Sequence, residues 1–124
     1  MFASILAAAL PCVTPAAEFD LFEKSIRPAL IRHCQECHSG ADAKAGLRLD
    51  FRDGWKKGGQ SGPAIIPGNP DASLLIQAIR HNNADLKMPK RGGQLSAEVI
   101  AAFEAWVRSG AADPRDQPAS AGAA

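Results

Sequence analysis

The sequence predicts a small all-α domain, with about three to five helices joined by long loops. Three observations lead there. At 124 residues and 46% apolar content the chain has room for one core, since independent domains rarely fall below roughly 50 residues each. Its apolar residues recur at helical spacing in three stretches, with no run of alternation long enough to suggest a sheet. Its 11 Gly and 9 Pro gather largely between those stretches, where they leave two connections of a dozen or more residues without regular structure. Loops of that length in so small a domain need something besides packed elements to order them, so a staple or a large bound group is expected. A net charge of +1 argues against a nucleic-acid partner, and the apolar fraction is too high for a disordered chain.

The first helix is expected over Glu18–Ile31, where Phe19, Phe22, Ile26 and Leu30 fall on one face. Pro28 lies inside it and should kink it or start a second turn, because proline removes a backbone donor. Ser39–Lys44 reads as a loop, Leu47-Arg48-Leu49 as a short extended piece, and Phe51–Lys57 as one or two helical turns. Gly58–Asn69 is the first long loop. Asn69 then stands as an N-cap, with Pro70 at the first helical position and Asp71 in the first turn of a helix carrying Leu74, Leu75, Ile76, Ala78 and Ile79. His81–Gln94 is the second long loop. Ser96 caps the last helix, whose stripe is Ile100, Phe103, Trp106 and Val107, and Gly110 stops it. Phe22, Ile26, Phe103 and Trp106 are expected to clamp the two terminal helices together.

Residues 1–17 carry no charged side chain; Phe2–Leu10 is a short apolar run, Pro11 breaks it, and Thr14–Ala17 offers small residues for cleavage before Glu18. This is the pattern of a signal peptide and predicts a periplasmic or otherwise exported protein. No apolar run reaches the length of about 18 residues that a membrane helix needs, so no transmembrane segment is expected in the mature chain. The organisation expected is therefore a signal peptide over 1–17, a domain over 18–111 and a flexible, Ala-rich tail over 112–124. Cys12 lies in the first segment, where the preceding Pro11 disfavours a lipid-anchor role, and is expected to leave with it. Two cysteines remain, Cys34 and Cys37.

These two stand in His33-Cys34-Gln35-Glu36-Cys37-His38, which contains C-x-x-C-H, the attachment signature of c-type haem. Two thiols three positions apart on a helical turn can each form a thioether with a vinyl group of one porphyrin, and the adjacent His38 is then held under the iron as its proximal ligand. A structural zinc site would want a second such pair, a thioredoxin-like site would want a preceding strand, and a plain disulfide would need no adjacent histidine. Past the start codon the sequence holds one methionine, Met88, set among Asp85, Lys87, Lys90 and Arg91 in the second long loop. A methionine in so polar a setting is a poor core filler, and its soft thioether suits haem iron as a sixth ligand that raises the reduction potential. His81 is the rival for that position; His33 reads as a helix-surface residue. The Gly62-Pro63 carbonyl is a candidate acceptor for the second nitrogen of His38, an ordinary turn being the alternative. Leu47, Leu49, Ile65, Ile66, Leu75 and Ile79 are expected to line the haem. Lys87, Lys90 and Arg91 read first as a solvated loop and second as a cationic rim that steers an acidic redox partner.

Several further motifs accompany C-x-x-C-H: F-x-x-x-I-R-P-x-L at Phe22–Leu30, G-L-R-L-D at Gly46–Asp50, K-G-G-x-S-G-P-A-I-I-P-G at Lys57–Gly68, P-x-x-S-L-L at Pro70–Leu75, Met88-Pro89, and A-W-V-x-S-G-A in the last helix. Together, over roughly residues 19 to 111, they resemble the planctomycete-type cytochrome c domain. The resemblance implies a small cytochrome c-like fold wrapped around one covalent haem c, terminal helices crossing near the attachment site, and iron held by His38 and Met88. Two axial ligands leave no open position on the iron, so the expected function is single-electron transfer between redox partner proteins rather than catalysis. The alternatives are a haem enzyme or ligand-binding protein with a labile sixth ligand, peroxidase-like, and a non-haem thiol or zinc module.

Overall fold

Pro28 shapes the first helix by forcing a change of register just before it. In the computed structural model of the chain, which describes residues 18–118, a π-helical turn spans Phe22–Ile26 and an α-helix, α1, spans Arg27–His33. The Arg27 N–H reaches back five residues to the Phe22 carbonyl, and Pro28 falls in the first turn of α1, where a missing N–H costs least. Phe22, Ile26 and Leu30 are buried, as their shared face predicts. The expected signal segment, 1–17, lies outside the described residues.

Three further α-helices follow: α2 over Arg52–Lys57, α3 over Leu74–Arg80 and α4 over Ala97–Arg108. No strand occurs among the described residues; Leu47 is extended but pairs with no partner strand, and one isolated bridge joins Gly59 to Gly62. The architecture is thus all-α. Ser96 caps α4 as expected, its side chain accepting from the Val99 N–H. α3 begins later than expected. Asn69 does not cap it; its Oδ1 accepts from the Ala72 N–H in a preliminary turn, and Ser73 is the residue before the helix. Ser73 is completely buried, and its hydroxyl is taken up by the backbone of Ile66 and Asn69 instead of a capping bond. The loop is stapled to the helix start, which moves the start by one turn.

The core forms where the first helical segment crosses α4. Trp106 sits at its centre, with ring centroids 5.7 Å from Phe22, 6.0 Å from Trp55 and 6.4 Å from Phe103, tilted or edge-on as aromatic pairs prefer. α3 packs against α4 from another side, and the first long loop is tied down by the Gly68 N–H donating to the Val107 carbonyl at 2.7 Å. The clamp of Phe22, Ile26, Phe103 and Trp106 is as expected: all four are buried.

The expected flexible tail from residue 112 does not hold over the described part. Asp113 and Arg115 are buried and form a two-pronged ion pair at 2.7 and 2.9 Å. Asp113 also accepts from the Trp55 indole at 2.9 Å, Arg115 donates to the Leu49 carbonyl at 2.8 Å, and the Arg115 guanidinium lies 4.9 Å from the Phe22 ring centre. Arg52 grips the same segment from outside through the Asp113 carbonyl and Asp116. Residues 112–118 are therefore part of the domain, because charged side chains in an otherwise Ala-rich stretch find buried partners far away in the sequence.

Candidate functional site

At the end of α1 the chain turns twice in succession. The Cys34 and Gln35 N–H groups both donate to the Leu30 carbonyl, and the Cys37 and His38 N–H groups to that of Cys34. These turns present Cys34 and His38 to one cleft. Leu47, Leu49, Leu75, Ile79 and Met88 line the same cleft, together with Ala64, Ala78, Leu86 and the Gly59–Gly62 turn; no charged side chain does. The lining of the cleft is almost wholly apolar, as that of cofactor and ligand sites usually is.

His38 is fixed on both sides. Its carbonyl accepts from the Leu49 N–H at 2.7 Å, and its Nδ1 lies 3.2 Å from the Leu47 carbonyl, to which it donates. That bond commits Nδ1 to carrying the proton and leaves Nε2 with its lone pair, as a metal-binding imidazole requires. The Gly62-Pro63 expectation is therefore corrected. The Gly62 carbonyl accepts from the Gly59 N–H within its own turn, and Leu47 takes the role assigned to it.

Met88 reaches the cleft by a different route. Its N–H donates to the Ala78 carbonyl of α3 at 3.0 Å, and its carbonyl lies 2.8 Å from Nε2 of His81. His81 does not line the cleft, and its ring bonds the Met88 backbone instead. Cys34, His38 and Met88 are thus brought together, while Cys37 is exposed and outside the lining. Burial, reinforced by the neighbouring Cys37, pushes the Cys34 thiol up to about 11. A thiol-redox or nucleophilic cysteine is tuned the other way, towards the thiolate. Nor does any cluster of three or more His, Cys, Asp or Glu side chains among the described residues offer a zinc site.

Two lining expectations are corrected. Ile65 is buried in the core rather than in the cleft, and Ile66 is 40% exposed; the neighbouring Ala64 faces the cleft in their place. Three positioning roles are not read from the sequence: those of the Leu47 carbonyl, the Arg115–Asp113 pair behind Leu49, and the His81 ring behind Met88. The second leaves a trace there as an Asp and an Arg two positions apart beyond the end of α4, and the third as His81, weighed there only as a rival iron ligand.

An all-helical domain that turns Cys34 and His38 of its C-x-x-C-H motif towards an apolar cleft, with Nδ1 of that histidine donating to a backbone carbonyl, has the features of c-type cytochrome domains. Residues 34–92 match the family model of Planctomycete cytochrome C, the family its motifs resemble. The match begins at the first cysteine of the motif and ends in the Met88 loop, so it spans both parts of the chain that line the cleft. No curated protein and no solved structure matches the chain. Domains of this family generally transfer electrons and hold haem c covalently, and the donor set and apolar cleft fit that group. No helix among the described residues is long and apolar enough to cross a membrane.

Proposed function

We propose that the protein is a mono-haem c-type cytochrome that carries single electrons between redox partner proteins, exported to the periplasm or an equivalent compartment. The observation that carries the proposal is the shared cleft of Cys34, His38 and Met88, with the Nδ1 proton of His38 committed to the Leu47 carbonyl. Cys34 and Cys37 would hold the haem through thioethers, and His38 Nε2 and the Met88 sulfur would ligate its iron. Bound in this way, the haem supplies a one-electron couple. The protein's own contribution is positioning and exclusion. Leu47 keeps the His38 ring from rotating, the apolar walls keep water and counter-charge away, and Met88 would take up the place that a substrate would need for chemistry at the metal. The exposed Lys87, Lys90 and Arg91 flank Met88, form no ion pair among the described residues, and suit an acidic partner surface.

The test is to produce the chain in a periplasm equipped for haem attachment. Intact mass should rise by one haem, located on the peptide that holds Cys34 and Cys37. The oxidised protein should show the weak far-red absorption of methionine-ligated ferric haem, and Met88→Ala should abolish it. Colourless protein from such a host overturns the proposal, and prompt carbon monoxide binding by the reduced parent moves it to a ligand-binding haem protein.

A further inference from the structure

His81 has no role in the function proposed above, yet it occupies a costly position. It is the residue immediately after α3, with φ 59° and ψ 26°, in the left-handed region where a side chain is strained and glycine is the usual choice. A histidine there points to a use for its ring. The ring has a partner of that kind among the described residues: Nε2 donates to the Met88 carbonyl at 2.8 Å, across seven positions of sequence.

The surroundings show what this bond adds. Met88 has two backbone polar groups, and both are held by the end of α3: the N–H by the Ala78 carbonyl at 3.0 Å, the carbonyl by His81. Between them runs 82–87, mostly exposed and bonded mainly within itself, through Asn83 to Asp85 and Leu86. Beyond the loop, the Gln94 side chain donates to the Arg80 carbonyl at 2.9 Å and closes the loop onto the same helix end. With one bond Met88 could pivot about its amide; with two its backbone has one orientation relative to Ala78, which lines the cleft. His81 itself stays out of the cleft, so its ring acts through Met88 and not on the metal directly.

We propose that His81 is a positioning residue that pins the backbone of Met88 to the end of α3 and so holds the methionine sulfur against displacement from the haem iron. The inference rests on Met88 as the sixth ligand. It extends that reading by naming what keeps a ligand in a long polar loop in place.

The experiment uses the haem-loaded protein and compares the parent with His81→Gly, His81→Ala and His81→Gln. Oxidised protein is titrated with imidazole, which competes with the methionine sulfur, and loss of the far-red band is followed. Thermal unfolding is measured alongside. His81→Gly relieves the backbone strain and removes the ring, so the unfolding midpoint should be unchanged or higher while imidazole binds about five- to tenfold more tightly, the equivalent of one lost hydrogen bond. His81→Gln, which restores a donor of similar reach, should recover most of the parent's resistance. A His81→Gly protein that titrates like the parent overturns the proposal, since a purely structural helix end would behave so. Should the glycine variant fold poorly, the Ala and Gln proteins decide, and equal imidazole affinity in the two counts against it. Failure of the underlying reading looks different: the parent then lacks the far-red band before any substitution is made.

Discussion

His38 can keep a fixed ring only if the Leu47 carbonyl stays where it is, and that carbonyl belongs to an extended segment with no strand beside it. The segment is held at its far end. The Leu49 N–H bonds back to the His38 carbonyl, and the Leu49 carbonyl accepts from Arg115, whose charge is matched by Asp113. Burial alone would raise the Asp113 carboxyl, but the Arg115 guanidinium and the Trp55 indole outweigh it and hold the group below the ordinary carboxylate range. A folded-state value below the unfolded one means stability that is present above about pH 4 and is lost as pH falls through the folded value. Asp113→Asn would leave Arg115 buried and uncompensated, at a cost of about 3–5 kcal/mol near neutrality. The gap between parent and variant should then narrow below about pH 4. Denaturant unfolding of both proteins from pH 7 to pH 3 measures this, and parallel pH profiles would show that the pair is not the source.

Among the elements, the turn after α2 is the most demanding. Gly58 has φ 75° and ψ −165°, a region open essentially to glycine alone, and a Cβ built there would stand 1.9 Å from the Gly62 carbonyl oxygen. The close approach lets residues 59–62 fold back as a tight bridge and form one wall of the cleft. Gly58→Ala should therefore cost about 3 kcal/mol or more, from backbone strain of about 1–3 kcal/mol plus the displaced turn. It should also broaden the haem absorption by disturbing that wall. A loss below about 0.5 kcal/mol in denaturant unfolding would mean that the turn relaxes without consequence. α3 contrasts with it: its start is set by a buried serine and its end by a strained histidine, so both ends serve the loops beside it more than the helix itself.

Taken whole, the molecule divides its apolar surface between two places. One is the aromatic cluster around Trp106, built by the terminal helices; the other is the lining of the cleft. Residues 113–115 tie the two together, reaching Trp55 and Phe22 in the cluster and Leu49 at the cleft. Ending the chain after Ala112 keeps the Trp106 indole bond to the Ala112 carbonyl but strips partners from the Trp55 indole and the Leu49 carbonyl. Each orphaned buried group costs about 1–3 kcal/mol, so the truncated holoprotein should melt about 10–20 °C below the full chain. Coincident melting curves would mean that the segment is an ornament on an already complete domain.

The helices, the α4 cap and the attachment motif could be read from the amino-acid order because each depends on residues within about four positions of one another. Phe22, Ile26 and Leu30 needed only their spacing, Ser96 only its neighbour at Val99, and Cys34, Cys37 and His38 only their adjacency. What the order could not disclose lies in contacts closed over distance. Asp113 meets Trp55 across 58 positions and Arg115 meets Leu49 across 66, and composition alone made that segment look like a loose tail. The acceptor for His38 is a backbone carbonyl, a group every residue carries and no side chain announces. Ala64 rather than Ile65 or Ile66 faces the cleft because the loop's path, not hydrophobicity, sets which side chain turns inward. Local order chose the helices and the chemistry of the site, whereas long-range closure, by fixing backbone positions, chose which groups hold that chemistry in place.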